Sequence, residues 1–293
     1  EARGCKVRIV PCSAVGAEVE DVDLRQLSDE DERALKSGFS EHGLLFFRDQ
    51  ALSEQDHIRV SRLWGTININ RFFKRHSDFD EIALVEKEPE QTVAIGEGWH
   101  TDHSYDREPA LGSILVAKAL PKTGGDTCFA SMYAAYDRLS EGLKKTLLGL
   151  EAVHSAKHVF GSGAQFVKNT KHSNRIGQAG LADALEDSVH PVVIRHPLSG
   201  RPALYVNPGF TLRIKGWTEA ESQSLLEFLY EHVVQPANVE TFQWRPGSIA
   251  FWDNRATWHS AQNDYQGQRR IMHRTTINGA GLRAFGLAEA PAD

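Results

Sequence analysis

Ala203-Leu204-Tyr205-Val206-Asn207-Pro208-Gly209-Phe210-Thr211-Leu212-Arg213-Ile214 is the stretch on which the fold class turns. Two short runs, 203–206 and 210–214, flank an Asn-Pro-Gly break that punctuates the chain as a turn. Their aliphatic, β-branched and aromatic residues suit a pleated, half-buried surface. The same grammar recurs on both sides. Runs at 44–48, 82–86, 112–118, 127–130, 189–196, 248–252 and 270–277 are short, β-rich and bounded by Gly, Pro, Asn or Asp. That many short strands predicts a sandwich or a barrel.

Helical spacing interrupts the strands in four places. At 28–42, Ser28 stands three residues before Asp31, a capping pattern, and Leu35 and Phe39 lie one turn apart. At 53–64, Ser53 precedes Asp56 in the same way, with Ile58, Leu63 and Trp64 as the face to be buried. Two longer helices are predicted at 131–150 and 218–234, the second repeating Leu225, Leu226, Leu229 and Val233. Helices outside a β core are the simplest arrangement. Between 157 and 188 the chain turns rich in Gly, Ser, Asn, Lys and His with little periodicity, which reads as a mobile lid. No repeat, low-complexity tract or Pro-rich linker marks a boundary, so a single domain over 1–293 is expected.

With 293 residues and 41% hydrophobic content, the chain can bury a sizeable core. A net charge of −6 offers no field that would draw nucleic acid or an anionic membrane surface, which leaves a small molecule as the expected partner. The longest apolar runs, 43–47 and 111–120, fall well short of the roughly 18 residues of a membrane span. Residues 1–10 lack the apolar core of a secretory signal. Three cysteines, Cys5, Cys12 and Cys128, make neither an even framework nor a CxxC spacing, which fits a reducing cytoplasm. Homo-oligomerisation stays open.

Trp99-His100-Thr101-Asp102 sets two metal-ligand types at i and i+2, on one side of an extended backbone. Thr257-Trp258-His259, shortly after the strand ending at 251–254, supplies a third. Two imidazoles and one carboxylate leave adjacent coordination positions open, the arrangement that non-haem iron(II) oxygenases use. By itself His-x-Asp is as readily a surface turn or a core pair. The neighbouring arginines change the balance. On a strand from Arg270, residues Arg270, Met272 and Arg274 share one face, and the two cations stand roughly 13 Å apart at about 3.3 Å per residue. Buried guanidinium groups call for carboxylates, and 2-oxoglutarate carries one at each end.

These stretches resemble the taurine dioxygenase family, whose members include phenoxyalkanoate and alkylsulfate dioxygenases. The resemblance runs from Gly16-Ala17-Glu18-Val19 and Asp21-Val22-Asp23-Leu24 to Thr276-Ile277. It is densest at Trp99-His100-Thr101-Asp102, at Gly124-Gly125-Asp126-Thr127, at Trp252-Asp253-Asn254-Arg255 with His259, and from Gln268 to Arg274. It implies a double-stranded β-helix, a mainly β jelly roll with flanking helices. It further implies Fe(II) held by His100, Asp102 and His259, with 2-oxoglutarate and O2 as co-substrates. Thr127 and Arg270 would hold the distal carboxylate of 2-oxoglutarate, and Arg274 the substrate anion or the metal-side carboxylate.

The activity so implied is hydroxylation of a small anionic substrate, a sulfonate, sulfate ester, phenoxyalkanoate or other carboxylate. The product is often cleaved, and succinate and CO2 are released. Retention of Asp102 argues against halogenation, since related halogenases lack that carboxylate. Asn70 and Phe73 stand where taurine-specific members carry His and Tyr, and Ile95 and Gly96 replace polar residues around the amine. Asn70, Phe73 and Phe210 are therefore candidate substrate contacts, the two phenylalanines being read either as an apolar wall or as ordinary core. Residues 154–161 look closer to phenoxypropionate dioxygenases, and 207–210 closer to the taurine enzymes. Two rival readings are a zinc-dependent hydrolase, which leaves the arginine pair without a task, and a non-catalytic jelly-roll binding protein, which leaves the ligand set without one.

Overall fold

Strand Leu44–Phe47 shows how alternation sorts the chain into layers. Leu45 and Phe47 face one side, packing with Leu35 and Phe39 of helix Asp29–His42 and Val60 of helix Glu54–Arg62. Leu44 and Phe46 face the other side, where they meet Phe129, Phe242 and Trp252. Its neighbour Ile249–Asp253 repeats the rule, Ile249 and Phe251 pointing to the helices, Ala250 and Trp252 inward. The computed structural model describes residues 7–170, 175 and 180–286; Cys5 lies outside the described residues.

The architecture is mainly β with helices packed outside. The large sheet orders Arg8–Pro11, Ala17–Glu20, Leu44–Phe47, Ile249–Asp253, Gly112–Ala119, Arg270–Ile277 and Ile67–Asn68, with Ala83–Lys87 also paired to Arg270–Ile277. A three-stranded sheet, Val239–Phe242, Thr127–Ser131 and Thr257–Ala261, brings Phe129 and Phe242 against the inner face of the first. Two further three-stranded sheets join helices Met132–Asp137 and Glu219–Val233 around a separate apolar core.

Helices Asp29–His42, Glu54–Arg62 and Glu219–Val233 each begin with a full capping box, on Ser28, Ser53 and Thr218. The cap oxygen takes an orphan N–H of the first turn while the acidic side chain returns to the cap backbone. The first helix stops at Gly43, whose φ of 68° closes an αL cap that returns its N–H to Phe39.

Three expectations need correction. The predicted helix at 131–150 is two, Met132–Asp137 and Glu141–Leu147, because Ser140 leaves the helical conformation to cap the second through the Leu143 N–H. The predicted strand at 189–196 is also two, Ser188–Pro191 and Val193–Arg195. Between them Val192 bonds Leu150 with its N–H and Tyr205 with its carbonyl, so the chain crosses there from one small sheet to the other. The stretch at 157–188 is not structureless: it holds helices Lys157–Phe160 and Gln165–Thr170 and a 3-10 turn at Leu181–Ala184. Residues 171–174 and 176–179 of the predicted lid lie outside the described residues.

At the end of strand Ile249–Asp253, Asp253 is fully buried. Its Oδ1 accepts from Arg255 N and Nε, each at 2.8 Å, and its Oδ2 pairs with Arg255 Nη2 at 2.8 Å and His196 Nε2 at 3.1 Å. Burial would raise this carboxyl, but Arg255 and His196 outweigh it and hold it well below the usual carboxylate range. Asp253→Ala should cost about 3–5 kcal/mol in urea unfolding, because it strands a buried guanidinium. A carboxyl lowered in the folded state contributes its stability above the ordinary value near pH 3.9 and loses it only as pH falls toward the folded value. The deficit of the variant should thus hold steady from neutrality to about pH 4 and shrink below. A deficit that instead vanished by pH 6 would contradict the pairing.

Candidate active site

A cavity of about 470 Å³ opens between the large sheet and the strand Thr257–Ala261. His100, Asp102, His259, Thr127, Arg270 and Arg274 all line it. The donors converge because two backbones meet. His100 N donates to His259 O at 3.1 Å and His259 N donates to His100 O at 2.9 Å, an isolated antiparallel bridge that sets the imidazole centroids 4.2 Å apart. Asp102 follows on the same side, its predecessor Thr101 donating its hydroxyl to Asn254 O at 2.5 Å. The next residue, His103, turns the chain away at φ 62° and locks the turn through Asp106, which in turn pairs with Arg71. Gly209 passes so close that a Cβ there would come within 2.6 Å of His100 Cβ.

One ligand atom from each of His100, Asp102 and His259 lies within 4.8 Å of the others. His100 Nε2 is 3.7 Å from Asp102 Oδ1, and His259 Nε2 is 3.8 Å from Asp102 Oδ2. His100 Nδ1 stands 2.9 Å from Gly98 O, which can only accept, so Nδ1 carries a proton and Nε2 is the nitrogen turned toward Asp102. Burial, with His100 adding to it, depresses His259 to about 3, making it a neutral donor at physiological pH. Asp102 is pushed up by burial, but the Arg274 guanidinium outweighs that and holds it ionised. Two imidazoles and one carboxylate suit a divalent ion with open positions.

The arginines differ in what satisfies them. Arg274 Nη1 donates to Asp102 Oδ2 at 3.2 Å, and its guanidinium lies 4.8 Å from the Phe73 ring centroid. Arg270 is buried, yet among the described residues its Nε and Nη2 have no hydrogen-bond partner. A buried guanidinium in that condition is costly unless an anion completes it. Trp244, which carries no signal in the sequence, organises this end: its Nε1 donates to Thr127 Oγ1 at 3.0 Å and its ring lies 5.8 Å from Arg270 Cζ. Thr127 is left with its own hydroxyl proton to give. An iron ion and a dicarboxylate therefore fit the donors present.

Most of the remaining lining is apolar, Glu97 being the exception. Phe73, Leu115 and Phe210 contribute, as do Val159, Phe160 and Phe166 from the helices of the 157–188 stretch. Phe160 lies 6.0 Å from Phe210 and 5.9 Å from Phe73, ring to ring. Ile95 and Gly96 also line the cavity. Asn70 does not: it is buried behind the wall, its Oδ1 accepting from Phe72 N at 2.9 Å and Phe73 N at 2.8 Å. It shapes the turn that presents Phe73.

With this geometry in view, the relatives are informative. Residues 8–276 match the family model described as taurine catabolism dioxygenase TauD, TfdA family. An alkylsulfatase of Acinetobacter baylyi is 33% identical over 90% of this chain and 82% of its own length. A (S)-phenoxypropionate/alpha-ketoglutarate-dioxygenase of Sphingobium herbicidovorans is 33% identical over 92% of this chain and 94% of its own. A Schizosaccharomyces pombe relative is longer, the chain spanning 66% of it at 30% identity. Among solved structures, a taurine dioxygenase from Burkholderia xenovorans superposes with a TM-score of 0.80 at 30% identity, covering 96% of this chain and 94% of that one. A motif-bearing match over nearly the whole chain leaves one conclusion: the chain belongs to the taurine catabolism dioxygenase TauD, TfdA family.

Proposed function

We propose that this chain is an Fe(II)- and 2-oxoglutarate-dependent dioxygenase, one jelly-roll domain of the double-stranded β-helix type, acting on a small organic anion with an apolar arm. The observation that carries the reading is the pairing, in one cavity, of a two-imidazole, one-carboxylate donor set with a buried arginine whose Nε and Nη2 lack partners. Oxygenase chemistry gives both a task, whereas zinc hydrolysis needs only the first.

In this reading His100, Asp102 and His259 hold iron, and Thr127 and Arg270 take the far carboxylate of 2-oxoglutarate. Iron bound there supplies the oxidation, in which R–H, 2-oxoglutarate and O2 become R–OH, succinate and CO2. The chain's own residues supply position and field. Arg274 keeps Asp102 ionised and faces the cavity, where it can meet the substrate's anionic group. Phe73, Phe160, Phe166 and Phe210 exclude water and receive the arm, worth about 0.8 kcal/mol per buried methylene. An ammonium set among those four rings would be desolvated, which disfavours taurine. Where the oxidised carbon bears sulfur or oxygen, the hydroxylated product falls apart.

Two measurements test this. Anaerobic addition of Fe(II) and 2-oxoglutarate should produce a weak charge-transfer band, and a featureless spectrum would count for zinc or for no metal. In a succinate-release screen, medium-chain alkyl sulfates or phenoxyalkanoates should exceed taurine by at least about tenfold in kcat/KM, the worth of two methylenes. Taurine as the best substrate would refute the apolar arm.

A further inference from the structure

A second group of metal-ligand types lies behind the catalytic strand. Strand Arg270–Ile277 sends Arg270, Met272 and Arg274 inward, so His273 points the opposite way, toward helix Glu54–Arg62. There one ligand atom from each of Glu54, His76 and His273 lies within 4.8 Å of the others. These three residues come from separate parts of the chain and are brought together only by folding.

We infer that Glu54, His76 and His273 form a second metal site, distinct from the iron donors and suited to a borderline divalent transition ion such as zinc. Neutral imidazole and carboxylate are the donors such ions take, at about 2.0–2.2 Å. In a tetrahedral site, bonds of about 2.1 Å place adjacent donors roughly 3.4 Å apart. His273 Nδ1 is 3.5 Å from Glu54 Oε1, a separation close to that edge and without hydrogen-bond geometry. His273 is buried, and among the described residues its Nδ1 has no hydrogen-bond partner, so a nitrogen that faces Glu54 is left unused. Burial, then the nearby Lys118 ammonium, depresses its imidazole to about 4, so the ring is neutral and has one nitrogen lone pair to offer. His76 meets His273 edge to face at 5.3 Å between centroids, and both His76 and Glu54 are only partly buried, which leaves an entry path.

Two contacts compete with an ion. Lys118 Nζ holds Glu54 Oε1 at 2.9 Å, and His76 Nδ1 accepts from Asp78 N at 3.1 Å. Both belong to half-buried or exposed side chains and can be exchanged against solvent, as pairs at this depth are weak. An ion seated here would tie helix Glu54–Arg62 to the strand that carries Arg270 and Arg274 on its other face.

The test separates the two sites. In His100→Ala/Asp102→Ala protein, which lacks two of the three iron donors, cobalt(II) should still bind at one equivalent, with visible d–d bands and a raised Tm. Adding His76→Ala, a surface change that leaves the fold intact, should remove the bands and the shift. Lys118→Met in the same background should tighten cobalt binding, by up to about fivefold, having removed the competing ammonium. No cobalt bound by the double variant, or binding unaffected by His76→Ala, would overturn the second site and leave the iron site untouched.

Discussion

His259→Ala should abolish succinate formation while the protein stays folded. The imidazole it removes is one of two in the donor set, and burial holds it neutral. Disturbing merely the partners of a metal ligand costs about 10–100-fold in metal affinity or activity, so removing the ligand should exceed about 100-fold. The backbone is spared because the bridge to His100 uses amide and carbonyl groups alone. The side chain also fills space against Trp252, 4.6 Å away between centroids, so a modest drop in Tm is expected alongside. Iron content and single-turnover succinate should be measured on the same samples. Turnover within tenfold of the parent would remove His259 from the ligand set.

Arg270→Ala should raise the 2-oxoglutarate requirement by about 100-fold, with the KM for the organic substrate nearly unchanged. Truncating one partner of a buried charged pair costs about 2–5 kcal/mol, which spans more than one and up to three or more decades in affinity. The same change should leave the ligand-free protein as stable as before or more so, because it deletes a buried guanidinium with unpartnered Nε and Nη2. Opposite signs in the two readouts distinguish a binding group from a packing one. An unaltered 2-oxoglutarate requirement, or a fall in Tm of the ligand-free protein, would reject the assignment.

Much of this was readable from residues because the governing patterns are local. Strand Arg270–Ile277 has the predicted bounds, since strict alternation fixes both its conformation and the face on which its arginines lie. The capped helices at Asp29–His42 and Glu54–Arg62 are equally local, their signal being one side chain three residues from another. Strand Thr257–Ala261 went unread because His259 and Ser260 obscure its pattern. The 157–188 stretch looked like loop because its helices are only four and six residues long, too short to show a period, and gain their order by pressing Phe160 and Phe166 into the cavity. Trp244 could not be found at all: its link to Thr127 spans 117 positions and exists only in three dimensions. Asn70 shows the converse, a polar residue at the expected place whose oxygen is spent on its own turn.

The reciprocal main-chain bonds between positions 100 and 259 make the donors' mounting independent of what is mounted. Such a scaffold is assembled before any ion arrives, so loading demands little rearrangement and exchange between ions is governed by supply and softness more than by folding. It also tolerates retooling: an altered side chain at any of the three positions changes the chemistry on offer without asking the sheets to find a new register.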